Sequence, residues 1–180
     1  MTKRNTVIIT VFIIIVIMGL VCLHNQYSSN SSPILEAKVT SDNGDNLSFF
    51  KIYNNGKIRK DSSTKGQFVK AIEVDSQIYH DHADKENNST YLTLDKAELN
   101  KDQRISSDPT FVKLISNLVK QSKYLIGILN LFKLDNEYYA FIKYNAGLSD
   151  EGTLYKYSSD KLTKVCTLDS GKIVGLKKVK

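Results

Sequence analysis

Hydrophobic positions change their spacing three times along this chain, and each change predicts a different kind of element. From Val7 to Leu23 there is no charge and a single hydroxyl, Thr10. Seventeen residues rising about 1.5 Å each reach roughly 25 Å, the short end of what crosses a bilayer core. The run therefore predicts an N-terminal transmembrane helix, in which every backbone amide is satisfied internally. Lys3 and Arg4 precede it, and no Lys or Arg follows until Lys38. That asymmetry places the N-terminus in the cytoplasm and exports the remainder. A cleaved signal competes poorly, because the run is long and Val21-Cys22-Leu23-His24 offers no small-x-small site. Cys22 stands where a lipoprotein signal carries its lipidated cysteine, but Val21 occupies a position where a small residue is expected.

After the run, residues 24–33 lose all periodicity. Tyr27-Ser28-Ser29-Asn30-Ser31-Ser32-Pro33 reads as a polar tether. The chain thus divides into an anchor (1–23), a linker (24–33) and an exported domain (34–180), which is long enough for one domain with its own core.

Within that domain the apolar spacing is mostly two. Leu35 to Val39 alternates, Leu47 to Tyr53 is rich in β formers, and Asn54-Asn55-Gly56 supplies the positive φ of a hairpin turn before Lys57-Ile58-Arg59. Phe68 to Val74 alternates as one strand, with Phe68, Ile72 and Val74 on one face and Glu73 with Asp75 on the other. The hydrophilic stretch His80 to Asn88 reads as a loop, followed by a short strand at Tyr91–Leu94. The spacing then becomes three and four: Phe111, Val112, Leu114, Ile115, Leu118 and Val119 follow Asp108-Pro109, an N-cap and a first-turn proline. Beyond this helix come Tyr124–Leu134, Glu137–Tyr144, Thr153–Tyr157 and Leu162–Leu168, separated by short polar gaps, and a last strand from Ile173 to Val179. Such gaps favour an antiparallel meander. Leu125, Ile126, Ile128, Leu129 and Leu131 are apolar on both faces, which predicts a central strand covered twice. The fold class expected is α+β: an antiparallel sheet of about six to eight strands carrying one amphipathic helix. The "Leu-Tyr-Lys-Tyr" strand Leu154–Tyr157, its Asp-Lys turn and the strand after it resemble one blade of a β-propeller. A propeller needs at least four blades, and the chain has no internal repeat.

Charge narrows the functional classes. Without Lys3 and Arg4, 23 basic side chains face 19 acidic ones, a net +4, with a local concentration only at Lys177-Lys178-Val179-Lys180. With three arginines and no aromatic-basic stripe apparent along the chain, nucleic acid is not an expected partner. Cys22 and Cys166 are too differently placed to pair, so the fold is expected to stand on its core, with Cys166 a small buried hydrophobe.

Candidate chemistry is sparse. His80, His82 and Asp84 are the weak metal-ligand candidates, since alternate residues of a strand share a face. No distant His or Cys is an evident partner except the membrane-proximal His24, and a solvated loop is the simpler reading. Glu73 and Asp75 form a possible carboxylate pair about 7 Å apart. A serine or cysteine nucleophile would need a histidine base held by a carboxylate, yet the only histidines are His80 and His82 in the hydrophilic stretch and His24 beside the membrane run, and no phosphate-binding glycine loop is present. Neither catalysis nor a cofactor is expected. Tyr138, Tyr139 and Tyr155, within a tyrosine-rich meander, are the candidate binding residues, because tyrosines on a sheet can form an adhesive face. The expected function is a single-pass, membrane-anchored extracytoplasmic interaction module. Residues 7–23 would contact the bilayer, and another cell-envelope protein would be the partner. The alternative is a surface domain that binds or senses a ligand or polymer, and a hydrolase ranks below both.

Overall fold

A computed structural model describes residues 32–62, 66–84, 89–122, 124–145 and 150–179. The apolar run 7–23, with Cys22, and most of the tether lie outside them. No helix among the described residues is long and apolar enough to cross a membrane.

Twelve strands and three short to medium helices make up the described chain. Sheet A contains β1 (Pro33–Thr40), β2 (Leu47–Tyr53), β3 (Ile58–Lys60), β4 (Val69–Lys70) and β12 (Lys172–Lys178), in the order β3-β2-β1-β12-β4. Sheet B contains β5 (Ile72–Glu73), β8 (Ile126–Leu134), β9 (Glu137–Tyr144), β10 (Gly152–Ser158) and β11 (Lys161–Leu168), in the order β11-β10-β9-β8-β5. Every pairing is antiparallel. The expected meander is β8 to β11. The turn after β10 places Ser159 and Asp160 at φ 51° and 58°, and Tyr157 donates to Asp160 Oδ1 at 2.8 Å.

The sheets pack face to face over Leu35, Ala37, Val39 and Ile52 from sheet A and Phe132, Phe141, Leu154, Cys166 and Leu168 from sheet B. Asn130, 1% exposed, crosses this layer and donates from Nδ2 to the Ile173 carbonyl at 2.8 Å. A buried amide left unpaired would cost about 1–3 kcal/mol, so this bond fixes how the sheets register. Gly171 closes the turn into β12 at φ +79°, and a Cβ there would lie 2.4 Å from the Thr40 carbonyl oxygen. Only glycine fits.

The other face of sheet B is covered by α1 (Lys96–Lys101), α2 (Gln103–Ser106) and α3 (Pro109–Gln121), together with a ribbon of β6 (Tyr79–Asp84) and β7 (Ser89–Leu94). Phe111, Leu114, Ile115, Leu118 and Val119 of α3 meet Leu129, Leu131, Ala140 and Ile142. Sheet B is therefore the middle of three layers. This is why β8 is apolar on both faces: Leu129 and Leu131 point to the helices, Phe132 and Leu134 to sheet A.

Three expectations need correction. One sheet of six to eight strands becomes two five-stranded sheets and a ribbon, because the alternating segments have two apolar layers to fill. The loop expected from His80 onward is largely the β6–β7 hairpin, held by Tyr79 and Leu92 in the helix-side core and by Tyr79 donating to the Ile126 carbonyl at 3.1 Å. Phe68–Val74 is not one strand. The chain leaves sheet A after β4 and enters sheet B at β5, so Phe68 and Val74 belong to different layers.

Candidate binding face

The three candidate tyrosines do not form one exposed face. Tyr139 points between the sheets, 4% exposed, and donates to Glu137 Oε2 at 3.0 Å. Tyr138 points the opposite way, donates to Asp108 Oδ2 at 2.9 Å and meets the Phe111 ring edge-on at 5.1 Å. Tyr155 is half-buried against the helix-side core, and burial pushes its phenol pKa up. The sequence pattern could not separate these roles, because a tyrosine suits a core rim as well as a contact surface.

His80 and His82 do share the side of β6 away from the core, but each ring has a local partner. His80 Nε2 lies 3.3 Å from Asp95 Oδ2, and His82 Nε2 lies 2.9 Å from Thr93 Oγ1. The backbone of Asp84 ends β6; its side chain is outside the described part. Among the described residues, no three His, Cys, Asp or Glu side chains are grouped to hold a metal ion.

Glu73 and Asp75 line a cleft of about 810 Å³ between β5, the turn after it, α1 and α2. Its charges are engaged. Asp102 accepts from Arg104 Nε at 3.0 Å and Nη2 at 2.6 Å, Lys101 pairs with Glu98, and Asp75 caps a short 3-10 turn through the Gln77 amide. Cys166 is 3% exposed, and burial pushes its thiol pKa up to about 12, so it is protonated and unreactive at neutral pH.

The outward face of sheet A is different. Its register lays two rungs across the strands. One runs Arg59, Lys51, Glu36, Lys177 from β3 to β12; the other runs Phe49, Lys38, Gly175, Lys70 from β2 to β4. Lys51 pairs with Asp61 at 2.8 Å, and Lys177 pairs with Glu36. Five cations thus stand against two carboxylates. Lys38, Arg59 and Lys70 have no acidic partner among the described residues. The rings are interleaved with this charge: Arg59 lies over Tyr53 and Lys177 over Phe68, each at 5.4 Å, and Phe49 meets Phe68 at 5.7 Å between centroids.

Gly175 makes this arrangement possible. A Cβ on it would lie 3.1 Å from Phe68 Cβ and 3.3 Å from Lys38 Cβ, so the missing side chain lets Phe68 cross the sheet surface. Lys38, Phe49, Gly66, Phe68, Lys70, Val174 and Gly175 then line a groove of about 310 Å³. No described helix or strand packs onto this face.

This is an aromatic-basic surface of the kind that the linear sequence does not display. Lys38 and Lys177 are neighbours only through the pairing of β1 with β12, so no window along the chain contains them both. The alternation of Glu36, Lys38 and Thr40 was the available signal, since it marks a strand face turned to water. No family model, curated protein or solved structure matches this chain.

Proposed function

We propose that the chain is a tethered binding module of the cell envelope, with no chemistry of its own. Residues 7–23 form a single membrane span with the N-terminus in the cytoplasm, and the sandwich engages a negatively charged envelope component outside. The observation that carries this reading is the contrast between the two sheets. Sheet B is covered on both sides, whereas sheet A presents an uncovered face with more cations than carboxylates. An excess of one charge sign on an open face attracts and orients an oppositely charged partner. The polar tether, about ten residues, would allow the domain lateral reach.

The test is thiol labelling of a full-length chain with one exposed cysteine, Cys22→Ser with Val174→Cys on the open face; buried Cys166 supplies little background. A membrane-impermeant maleimide is expected to label the chain in intact cells of the original host. It should react more slowly there than with the purified chain in detergent, while Lys113→Cys on α3 reacts equally in both. Labelling only after lysis would refute export, and equal rates at Val174→Cys would refute an occupied face.

A further inference from the structure

Resting on that reading, we infer that the occupant of the open face is an acidic polysaccharide. Its anionic groups meet Lys38 and Lys70, and its sugar rings lie against Phe49 and Phe68. Lys38 and Lys70 flank Gly175 on either side in register, so their backbones stand two strand spacings apart, about 10 Å. Both are without an acidic partner among the described residues, and Gly175 between them leaves room that the Phe68 side chain crosses. Two ammonium groups so placed can hold successive charges of one polymer, and the second engagement is intramolecular once the first is made.

The rings decide between a sugar polymer and other anions. Phe49, Phe68 and Val174 give the groove an apolar lining between its cations. The C–H faces of sugar rings are apolar and carry their charged substituents at the rim, which matches a lined groove with lysines at its sides. A lipid surface would ask for protruding rings that insert between headgroups. Here Phe49 and Phe68 are half-buried, packed on each other, and Phe68 lies beneath the Lys177 ammonium.

The experiment measures binding of the full-length chain, in a non-ionic detergent, to polygalacturonate, to neutral dextran, to inorganic polyphosphate and to anionic phospholipid micelles. Polygalacturonate should bind and dextran should not, with affinity falling as salt screens the lysines. Lys38→Gln with Lys70→Gln should weaken polygalacturonate binding about fivefold, the loss expected for two rim charges. Lys113→Gln with Lys120→Gln, which removes the same charge from α3, should leave it unchanged. Phe68→Ala should weaken polygalacturonate but not polyphosphate, with an unaltered circular dichroism spectrum confirming the fold. Equal losses from the α3 pair would overturn the site, leaving net charge as the cause. Equal effects of Phe68→Ala on both polyanions would overturn the sugar assignment. Preference for anionic phospholipid micelles over polygalacturonate would overturn it in favour of a membrane surface. None of these results bears on export, which the maleimide experiment reads separately.

Discussion

Removing the carboxylate of Asp108 should loosen the docking of α3 on sheet B more than an ordinary helix cap would. Asp108 accepts from the Thr110 amide at 3.0 Å, capping α3, and from the Tyr138 hydroxyl at 2.9 Å, tying the helix start to β9. A cap is worth about 1 kcal/mol, and a hydrogen bond to a charged, mostly buried acceptor about 1.5 kcal/mol. Lys133, 2.8 Å away but in solvent, adds a screened attraction. Asp108→Ala should therefore cost about 2.5 kcal/mol, summed from those two contributions. Tyr138→Phe should cost about 1.5 kcal/mol, because the ring contact with Phe111 survives. The pair should not add. Asp108→Ala with Tyr138→Phe should cost at least about 1 kcal/mol less than the sum of the single changes, since both remove the same bond. The assay is urea unfolding of the full-length chain in non-ionic detergent, followed by tyrosine fluorescence and circular dichroism. Burial alone would raise the Asp108 pKa, but the Lys133 ammonium, the Tyr138 hydroxyl and the Thr110 amide outweigh it and hold the carboxyl below its ordinary value. Its contribution is thus present above the ordinary carboxylate range and is lost as pH falls through the lowered value. Additive costs at neutral pH would refute the shared bond.

Other outcomes follow from the same geometry. Gly152→Ala would put a methyl 2.0 Å from Phe141 Cζ in a fully buried ring, costing about 1–3 kcal/mol in the same titration, and Phe141→Leu should recover part of that loss. Glu137 is held at about 2 by Lys156 first and then Lys178, against an ordinary 4.5. The stability it contributes is therefore complete above about pH 4.5 and disappears as pH falls toward 2. Glu137→Gln should cost about 1 kcal/mol at pH 7, a value discounted for a carboxylate one-third in solvent, and should flatten the acid limb of the melting curve. In a Cys22→Ser chain, Cys166 should react with a thiol reagent only after unfolding, and stoichiometric native labelling would contradict its burial.

How much of this was legible in the chain differs by element. The start of α3 was readable to the residue, because Asp108 and Pro109 are local signals and the apolar stripe has helical spacing. The hairpin at Asn54-Asn55-Gly56 and the meander β8–β11 were equally local. What the sequence left open were choices between layers. Phe68 and Val74 alternate as if on one strand, yet Ala71 stands where the chain changes sheets, and nothing in the alternation marks that step. The ribbon β6–β7 is polar enough to pass for a loop, and only Tyr79 and Leu92, anchored on distant residues, make it a structure. The basic open face of sheet A was hidden for the same reason, since its lysines come from strands at opposite ends of the chain.

The passage from β4 to β5 closes one side of the sandwich and leaves the opposite side with two unpaired borders, β3 and β11. Unpaired backbone amides and carbonyls invite a strand from another molecule. Copies confined to the plane of a membrane would meet at high local concentration, with the same borders facing one another. Arg59 and Lys60 on β3, and Lys161 and Lys164 on β11, are all exposed, so the approach of two borders sets cation against cation. The domain can thus crowd on a surface without zipping into a continuous sheet, and each copy keeps its open face available.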